Sequence, residues 1–388
     1  MKVIAYVIWF SVFLLVYGSG NFYIGLRGWQ AFPRNAVFSR VYIITFILVA
    51  LSYFASRIIE NFSVCQASSA LFWIGSFWFG FMLYFFAAAL FFDIIRLSNH
   101  IFNFYPSFII NNYDRVKTVS AVSVIIITII IHIYGFANAR GLNIREISLS
   151  VPKKAGSLKE LRIAFVSDIH LGTIIKNARL ERMVSSINGL KPDIIILGGD
   201  VFDEDLKPVL LYNMGDILKD LKARFGTYAV SGNHEYYGGI EEAAAYLENH
   251  GIRVLRDRVM KINNSFYIAG ADDHTKKQFT GTAPLQFKDL LKDADMNLPV
   301  ILAVHNPQRI KEAVDIGADV MLSGHTHNGQ LWPITLITNM IYEVSYGYRK
   351  IGSTQAYVSS GYGSWGPPVR IGTSTEIMLL KLSFNGSI

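Results

Sequence analysis

Cysteine is nearly missing from this chain of 388 residues: the single copy, Cys65, excludes an internal disulfide and fits an oxidising or a reducing compartment alike. Charge is scarce too. Only 17% of residues are charged against 52% hydrophobic, too apolar for an ordinary soluble protein of this length. The scarcity is local, because Asp, Glu, Lys and Arg are absent from residues 3–26, 41–56, 61–92 and 118–139. A bilayer core needs about 20 apolar residues of helix, so three of these runs cross comfortably and the second, though short, remains feasible. Amphipathic flanking elements are also lacking, which argues against buried helices of a soluble core. Lys2 before the first run is a leader-like feature. No twin-arginine pair or small-residue cleavage site accompanies it, and three more spans follow, so the run is read as a retained anchor. Trp9, Trp29, Trp73 and Trp78 lie in or beside the spans, and some are expected at the headgroup level.

A clustered basic stripe is absent as well. The formal charge of +7 is scattered, which disfavours a nuclease or another nucleic-acid partner and suits anionic lipid headgroups. An even number of spans puts both termini on one face. Lys2, Arg57, Arg140, Arg145, Lys153 and Lys154 then oppose Arg27, Arg34, Arg40, Arg96, Arg115 and Lys117, a tie under the positive-inside rule. Within the spans His132 is the one ionisable group, thin support for a transporter. Repeats and low-complexity segments are missing, and nothing bears on oligomeric state.

From about residue 140 the texture changes. Short β-rich runs at 144–151, 161–167, 193–197, 227–230, 265–269, 299–304, 319–322, 356–359 and 376–382 are interleaved with helical stretches at 178–190, 209–224, 240–249 and 307–316. That alternation predicts an α/β domain over 141–388, behind a transmembrane region of about four helices over 1–140.

Ligands of open α/β sheets gather beyond the carboxyl ends of strands, and five such ends carry metal-type donors. Asp168-Ile169-His170 closes one run; in extended chain, residues two apart face the same way and can share a cation, although a solvated turn reads alike. Gly198-Gly199-Asp200 allows a sharp turn that brings a carboxylate to a ligand, the alternative being a helix N-cap. Gly232-Asn233-His234-Glu235 offers a neutral oxygen and a proton carrier, with Asp203 placed to hold His234 charged, or to cap a helix. Glu235 is expected to support rather than ligate. His305 ends another run, and Gly324-His325-Thr326-His327 repeats the two-apart spacing.

As a set, the order D-x-H, G-D, G-N-H-E, H and G-H-x-H resembles the calcineurin-like metallophosphoesterase superfamily over residues 143–382. The stretches KELRIAFVSDIHLG, IAGADDH and YVSSGYGSWGPPVRIGTSTEIMLLKL resemble more narrowly its bacterial membrane-linked branch, which includes phosphodiesterases and UDP-diacylglucosamine pyrophosphatases of lipid A synthesis. The resemblance implies a four-layer α-β-β-α sandwich of two mixed sheets with a dinuclear site at one edge. It implies that Asp168, His170 and His327 hold one metal, that Asn233, His305 and His325 hold the other, and that Asp200 is shared. The apolar N-terminal region lies outside it.

A donor mix of carboxylate, amide and imidazole suits two divalent ions of manganese, iron or zinc, manganese first, better than calcium. Two cations about 3.5 to 4 Å apart acidify a bridging water and clamp phosphoryl oxygens, so the expected attacker is hydroxide. No serine or cysteine sits in a nucleophile setting. His234, supported by Asp203, is the candidate for protonating the leaving oxygen or stabilising transition-state charge. Four spans give a reason for a lipid-linked phosphate or pyrophosphate substrate, such as UDP-2,3-diacylglucosamine. A phosphodiesterase of soluble nucleotides and a membrane sensor or scaffold with a structural metal site are the alternatives. The charge-free run 331–342, LWPITLITNMIY, is read as an acyl-chain groove or bilayer contact, or else as a buried helix or strand. By analogy with lipid A precursors, the catalytic domain is expected on the cytoplasmic face of a bacterial inner membrane.

Overall fold

The computed structural model describes residues 2–32 and 35–385, with backbone alone for 2–10. The chain divides into two units, Met1–Phe136 and Ala137–Ile388.

The first unit is helical: α1 (Lys2–Ala31), α2 (Ala36–Phe62), α3 (Gln66–Phe102), a short α4 (Ser107–Asn111) and α5 (Tyr113–Ala139). Among the described residues, three of them, α2, α3 and α5, are long and apolar enough to cross a membrane. The expected first span falls in α1, and Trp9 and Arg34 lie outside the described side chains. The expected run 61–92 is corrected at both ends. Residues 63–65 leave the helix, and Cys65 and Ser68 cap the new one reciprocally, each side chain accepting from the other's backbone N–H. Helix α3 then runs 37 residues, about 55 Å at 1.5 Å per residue, well beyond a hydrocarbon core of about 30 Å.

Without water to drive them together, membrane helices associate by close approach at small residues and by buried polar contacts. At Gly75 an added Cβ would lie 2.4 Å from the Tyr53 nitrogen, so α2 and α3 touch backbone to backbone there. Ser56 Oγ donates to the Ser68 carbonyl at 2.9 Å. Trp78 is buried and donates to Asn21 Oδ1 at 2.8 Å, inside the bundle rather than at its edge. His132 faces a neighbouring helix, its ring stacked 3.9 Å from that of Phe81.

Among the described residues, the second unit has twelve strands: β1 (Asn143–Val151), β2 (Glu160–Val166), β3 (Ile194–Leu197), β4 (Thr227–Ala229), β5 (Ile252–Val254), β6 (Arg258–Ile262), β7 (Phe266–Ala271), β8 (Val300–Val304), β9 (Val320–Ser323), β10 (Gly347–Ile351), β11 (Thr354–Val358) and β12 (Glu376–Phe384). They form two sheets of mixed direction, ordered β1-β12-β2-β3-β4-β5 and β10-β11-β9-β8-β7-β6. Between strands lie α6 (Asn177–Gly189), α7 (Lys207–Leu211), α8 (Met214–Leu218), α9 (Asn233–Gly238), α10 (Ile240–Asn249), α11 (Lys276–Thr280), α12 (Phe287–Leu290), α13 (Ile310–Asp315) and α14 (Ile334–Ile341).

Alternation of side chains explains how these strands can be apolar throughout. Ile195 and Leu197 of β3 pack on α6, α8 and α10, while Ile194 and Ile196 face the other sheet. Across that gap, Ile301 and Ala303 of β8 point inward, and Val300, Leu302 and Val304 pack outward on α12 and α13. Both faces of both sheets are therefore covered, which gives three cores between four layers, the expected α-β-β-α sandwich. Three strands, β5, β6 and β10, go beyond the expected set. The expected helix 209–224 is corrected to α7 and α8, broken where Asn213 takes a φ of 50°.

Candidate metal centre

Strands β2, β3 and β4 are parallel neighbours, as are β8 and β9, and the loops leaving their carboxyl ends carry every expected donor. The backbone there is not extended. Asp168, His170, Asp200, His325 and His327 have φ of 52°, 52°, 50°, 72° and 48°. Strand alternation is therefore the wrong reason for their convergence; left-handed turns beyond the strand ends aim them. Each such non-glycine residue costs about 1–3 kcal/mol, which the surroundings must offset.

Those surroundings are hydrogen bonds between loops. Asp168 N donates to Gly199 O and His170 N to Asp200 O, both at 3.0 Å, and Gly324 N donates to His305 O at 2.9 Å. His325 N reaches Asp168 Oδ1 and His234 N reaches Asp200 Oδ1, each at 2.9 Å. Glu235 is the brace expected of it: Oε2 accepts from Asp200 N and Gly232 N, and Oε1 from Phe202 N. Two glycines make room. Gly199 has a φ of 86° and lies against the His305 ring, and a Cβ on Gly324 would stand 2.4 Å from Asp168 Oδ2.

Three groups of donor atoms result, each within 4.8 Å: Asp168, His170 and His327; Asp200, His305 and His325; and His170, Asp203 and His234. In the first, His327 Nε2 is 3.4 Å from Asp168 Oδ1 and 3.1 Å from His170 Nε2. In the second, His305 Nε2 is 3.0 Å from Asp200 Oδ2 and 3.9 Å from Asp168 Oδ1, so it faces both groups. Asn233 Oδ1 is 2.9 Å from His325 Nδ1.

His305 shows that a divalent metal fits these residues. Its Nδ1 lies 2.8 Å from the Gly198 carbonyl, which can only accept, so Nδ1 carries the proton and Nε2 of the neutral ring presents a lone pair to Asp200. Two facing lone pairs need a proton or a cation between them. In the chain alone, burial disfavours the imidazolium, yet Asp200 and Asp168 outweigh it and raise the His305 pKa well above its ordinary value. A divalent ion meets the same demand without the proton.

Elsewhere burial decides most charge states. It raises Asp168, pushes His325 down to about 4 with help from His305, and holds His327 well below the usual imidazole range. Asp200 resists burial because His305, His234 and His170 surround it, and its pKa falls well below normal. Burial pushes His234 down to about 4 despite Asp200 and Asp203, so its imidazole is neutral near pH 7. Asp203 Oδ1 stands 3.8 Å from His234 Nδ1 and 3.6 Å from His170 Nδ1, between the two rings rather than serving one.

Sequence reasoning missed Arg370, which is wholly buried behind His327. Its Nη2 donates to Ser360 O at 2.6 Å and Gly363 O at 2.7 Å, Nε to Gly363 O, and Nη1 to Ser374 O; Nη2 is also 3.2 Å from His327 Nδ1. Burial lowers its pKa to about 10, still charged at neutral pH. A lone arginine in a loop gives no sequence signal of such a role. The mouth of the site is aromatic, with the rings of Tyr237 and Trp365 at 5.6 and 6.2 Å from that of His234, and Tyr342 at 6.1 Å from His325.

Residues 161–329, which hold every one of these donors, match the calcineurin-like phosphoesterase family model. An uncharacterized metallophosphoesterase of Aquifex aeolicus (strain VF5) is 34% identical over 230 residues, covering 59% of this chain and 87% of the relative. The chain belongs to the calcineurin-like phosphoesterase family. An uncharacterized metallophosphoesterase of Helicobacter pylori (strain J99 / ATCC 700824) is 34% identical over 226 residues, 58% of this family member and 60% of the relative. A transmembrane protein with metallophosphoesterase domain from Danio rerio is 32% identical over 271 residues, 66% and 61% of the two chains. The chain thus spans about three fifths of the length of these last two relatives.

Proposed function

We propose that this phosphoesterase hydrolyses a phosphodiester or pyrophosphate bond of a lipid-linked substrate in the inner membrane of a bacterium, UDP-2,3-diacylglucosamine being the compound to try if the catalytic unit faces the cytoplasm. Asp168, His170 and His327 would hold one divalent ion, and Asn233, His305 and His325 the other, with Asp200 between them. When bound, the two ions, manganese first, supply an acidified water and a clamp on the phosphoryl oxygens. The chain's own residues do the rest. His234, neutral and backed by Asp203, donates a hydrogen bond to the leaving oxygen as charge grows there. Tyr237, Trp365 and Tyr342 narrow the mouth around it.

The observation that carries the lipid-linked substrate is α14. No residue of this helix is buried, and Trp332, Leu336, Ile337, Met340 and Ile341 stand more than half exposed, Met340 at 87%. Neither of the expected alternatives, a buried helix or a strand, describes it. An exposed apolar face a few residues beyond His327, in a segment with no charge from 331 to 342, suits an acyl chain. The test is a hydrolysis panel of the full chain with manganese, using UDP-linked diacyl sugar, phospholipid, nucleotide and bis-p-nitrophenyl phosphate. Acylated substrates should be turned over fastest, and faster cleavage of a soluble nucleotide would overturn the assignment.

The same unit bears on sidedness. Charges in a folded domain count little in the positive-inside rule. Arg145 lies in β1, Lys153 pairs with Asp319 at 2.7 Å, and Lys154 follows, so these three leave the tally. Six cations then face three, Lys2, Arg57 and Arg140. The balance supports a catalytic unit outside the cytoplasm, against the expectation drawn from lipid A precursors.

A further inference from the structure

The helical unit has a half-open cavity of about 810 Å³, lined by α1, α2, α3, α5 and the segment before α5. Its size falls within the roughly 300–1,000 Å³ of small-molecule sites. One part is apolar, with Phe46, Val49, Trp78 and Phe85 along the wall. The other part is charged, and its charges come from the ends of elements: the last turns of α1 and α3 and the first turns of α5.

Among the described residues, three cations line that end, Arg27, Arg96 and Lys117, against one carboxylate, Asp93, a balance of +2. Asp93 gathers its neighbours. Arg27 Nη2 is 2.6 Å and Nε 2.8 Å from Asp93 Oδ2, Arg96 pairs with Oδ1, and Tyr23 donates to Oδ2 at 2.6 Å. Lys117 pairs with Asp114, whose side chain is almost wholly exposed, so that contact is weak. Two guanidiniums held by one carboxylate, in a cavity that Lys117 also lines, offer donors to phosphate oxygens above a wall that hydrocarbon would cover.

We propose that this cavity binds one anionic glycerophospholipid, with an acyl chain along Phe46, Trp78 and Phe85 and the phosphate at Arg27, Arg96 and Lys117. The site is separate from the metal centre and independent of the substrate proposed above. Its charged end is built from the last turns of α1 and α3 and the first turns of α5, all within the helical unit. The occupant is a resident lipid, not the molecule that is hydrolysed.

The test is native mass spectrometry of the full chain titrated with phosphatidylglycerol or phosphatidylcholine. Wild type should retain one phosphatidylglycerol at least fivefold more tightly than phosphatidylcholine. Lys117→Gln should weaken phosphatidylglycerol about fivefold, and Arg96→Gln should do the same, while phosphatidylcholine is unaffected, since each surface cation contributes about that factor. Ala89→Phe, which fills the apolar part, should reduce both lipids. Hydrolysis of bis-p-nitrophenyl phosphate should stay at the wild-type rate in every variant, which reports a folded chain. If Arg96→Gln fails to fold, Lys117→Gln decides. Equal retention of the two lipids by wild type, or unchanged phosphatidylglycerol binding in Lys117→Gln, overturns the proposal and leaves an annular lipid only.

Discussion

Five donors on left-handed backbone make the metal centre a place where local strain is held by the loops around it. Residues that relieve or brace that strain should therefore matter as much as the donors. Gly324→Ala would press a methyl group on Asp168 Oδ2, and we expect lower bound metal and a loss of roughly 1–3 kcal/mol in stability, read by metal analysis and thermal melting. Arg370→Met strips the donors from the Ser360 and Gly363 carbonyls, each worth about 1–3 kcal/mol when left unpaired, while Ser374 O keeps the Ser360 hydroxyl. Arg370→Lys should recover little, because an ammonium cannot replace the planar fork. For His234 the expectation is different: His234→Ala should lower turnover at least about a hundredfold with metal content near normal. Loss of metal in that variant would reassign His234 as a ligand.

Among the elements, what was legible in the chain followed physical clarity. Fully apolar strands such as β3 and β8, covered on both faces, announce themselves, and so do runs of 20 or more uncharged residues. The strands that escaped notice are short and half exposed: β5 is three residues, and β10 is mostly exposed. Their turns did carry a signal. Asn263 and Asn264 both take positive φ between β6 and β7, and Gly352-Ser353 closes the β10–β11 hairpin, as turn chemistry requires. All seven proposed donors came from the family resemblance that the residue order carries, since such residue types are rare together at strand ends. The left-handed geometry and the Arg370 brace could not, since both arise from loops meeting across two sheets. Helix α14 was visible only as an apolar run, and its exposure emerges only in the folded unit. We expect Leu336→Asp with Ile337→Asp to cut turnover of an acylated substrate at least tenfold while bis-p-nitrophenyl phosphate hydrolysis and melting temperature hold. Equal turnover of acylated substrate would remove the acyl-chain assignment from this face.

For the molecule as a whole, the question with most consequence is which compartment the metal centre meets, because it decides which phosphoesters can reach it. Sequence alone returned a tie because it could not separate charges that flank a span from charges that belong to a folded sheet. Once β1 and the Lys153–Asp319 pair are known, six cations flanking the apolar runs on one side stand against three on the other. The asymmetry does not depend on α1 crossing: with α2, α3 and α5 alone, Arg40, Arg96, Arg115 and Lys117 still outnumber Arg57 and Arg140. A single cysteine in the membrane unit is compatible with an oxidising exterior. Protease added to intact spheroplasts should therefore release the catalytic unit, whereas sealed inside-out vesicles should protect it. Protection in spheroplasts and cleavage in inverted vesicles would restore the cytoplasmic assignment, and with it the case for a substrate made on that face.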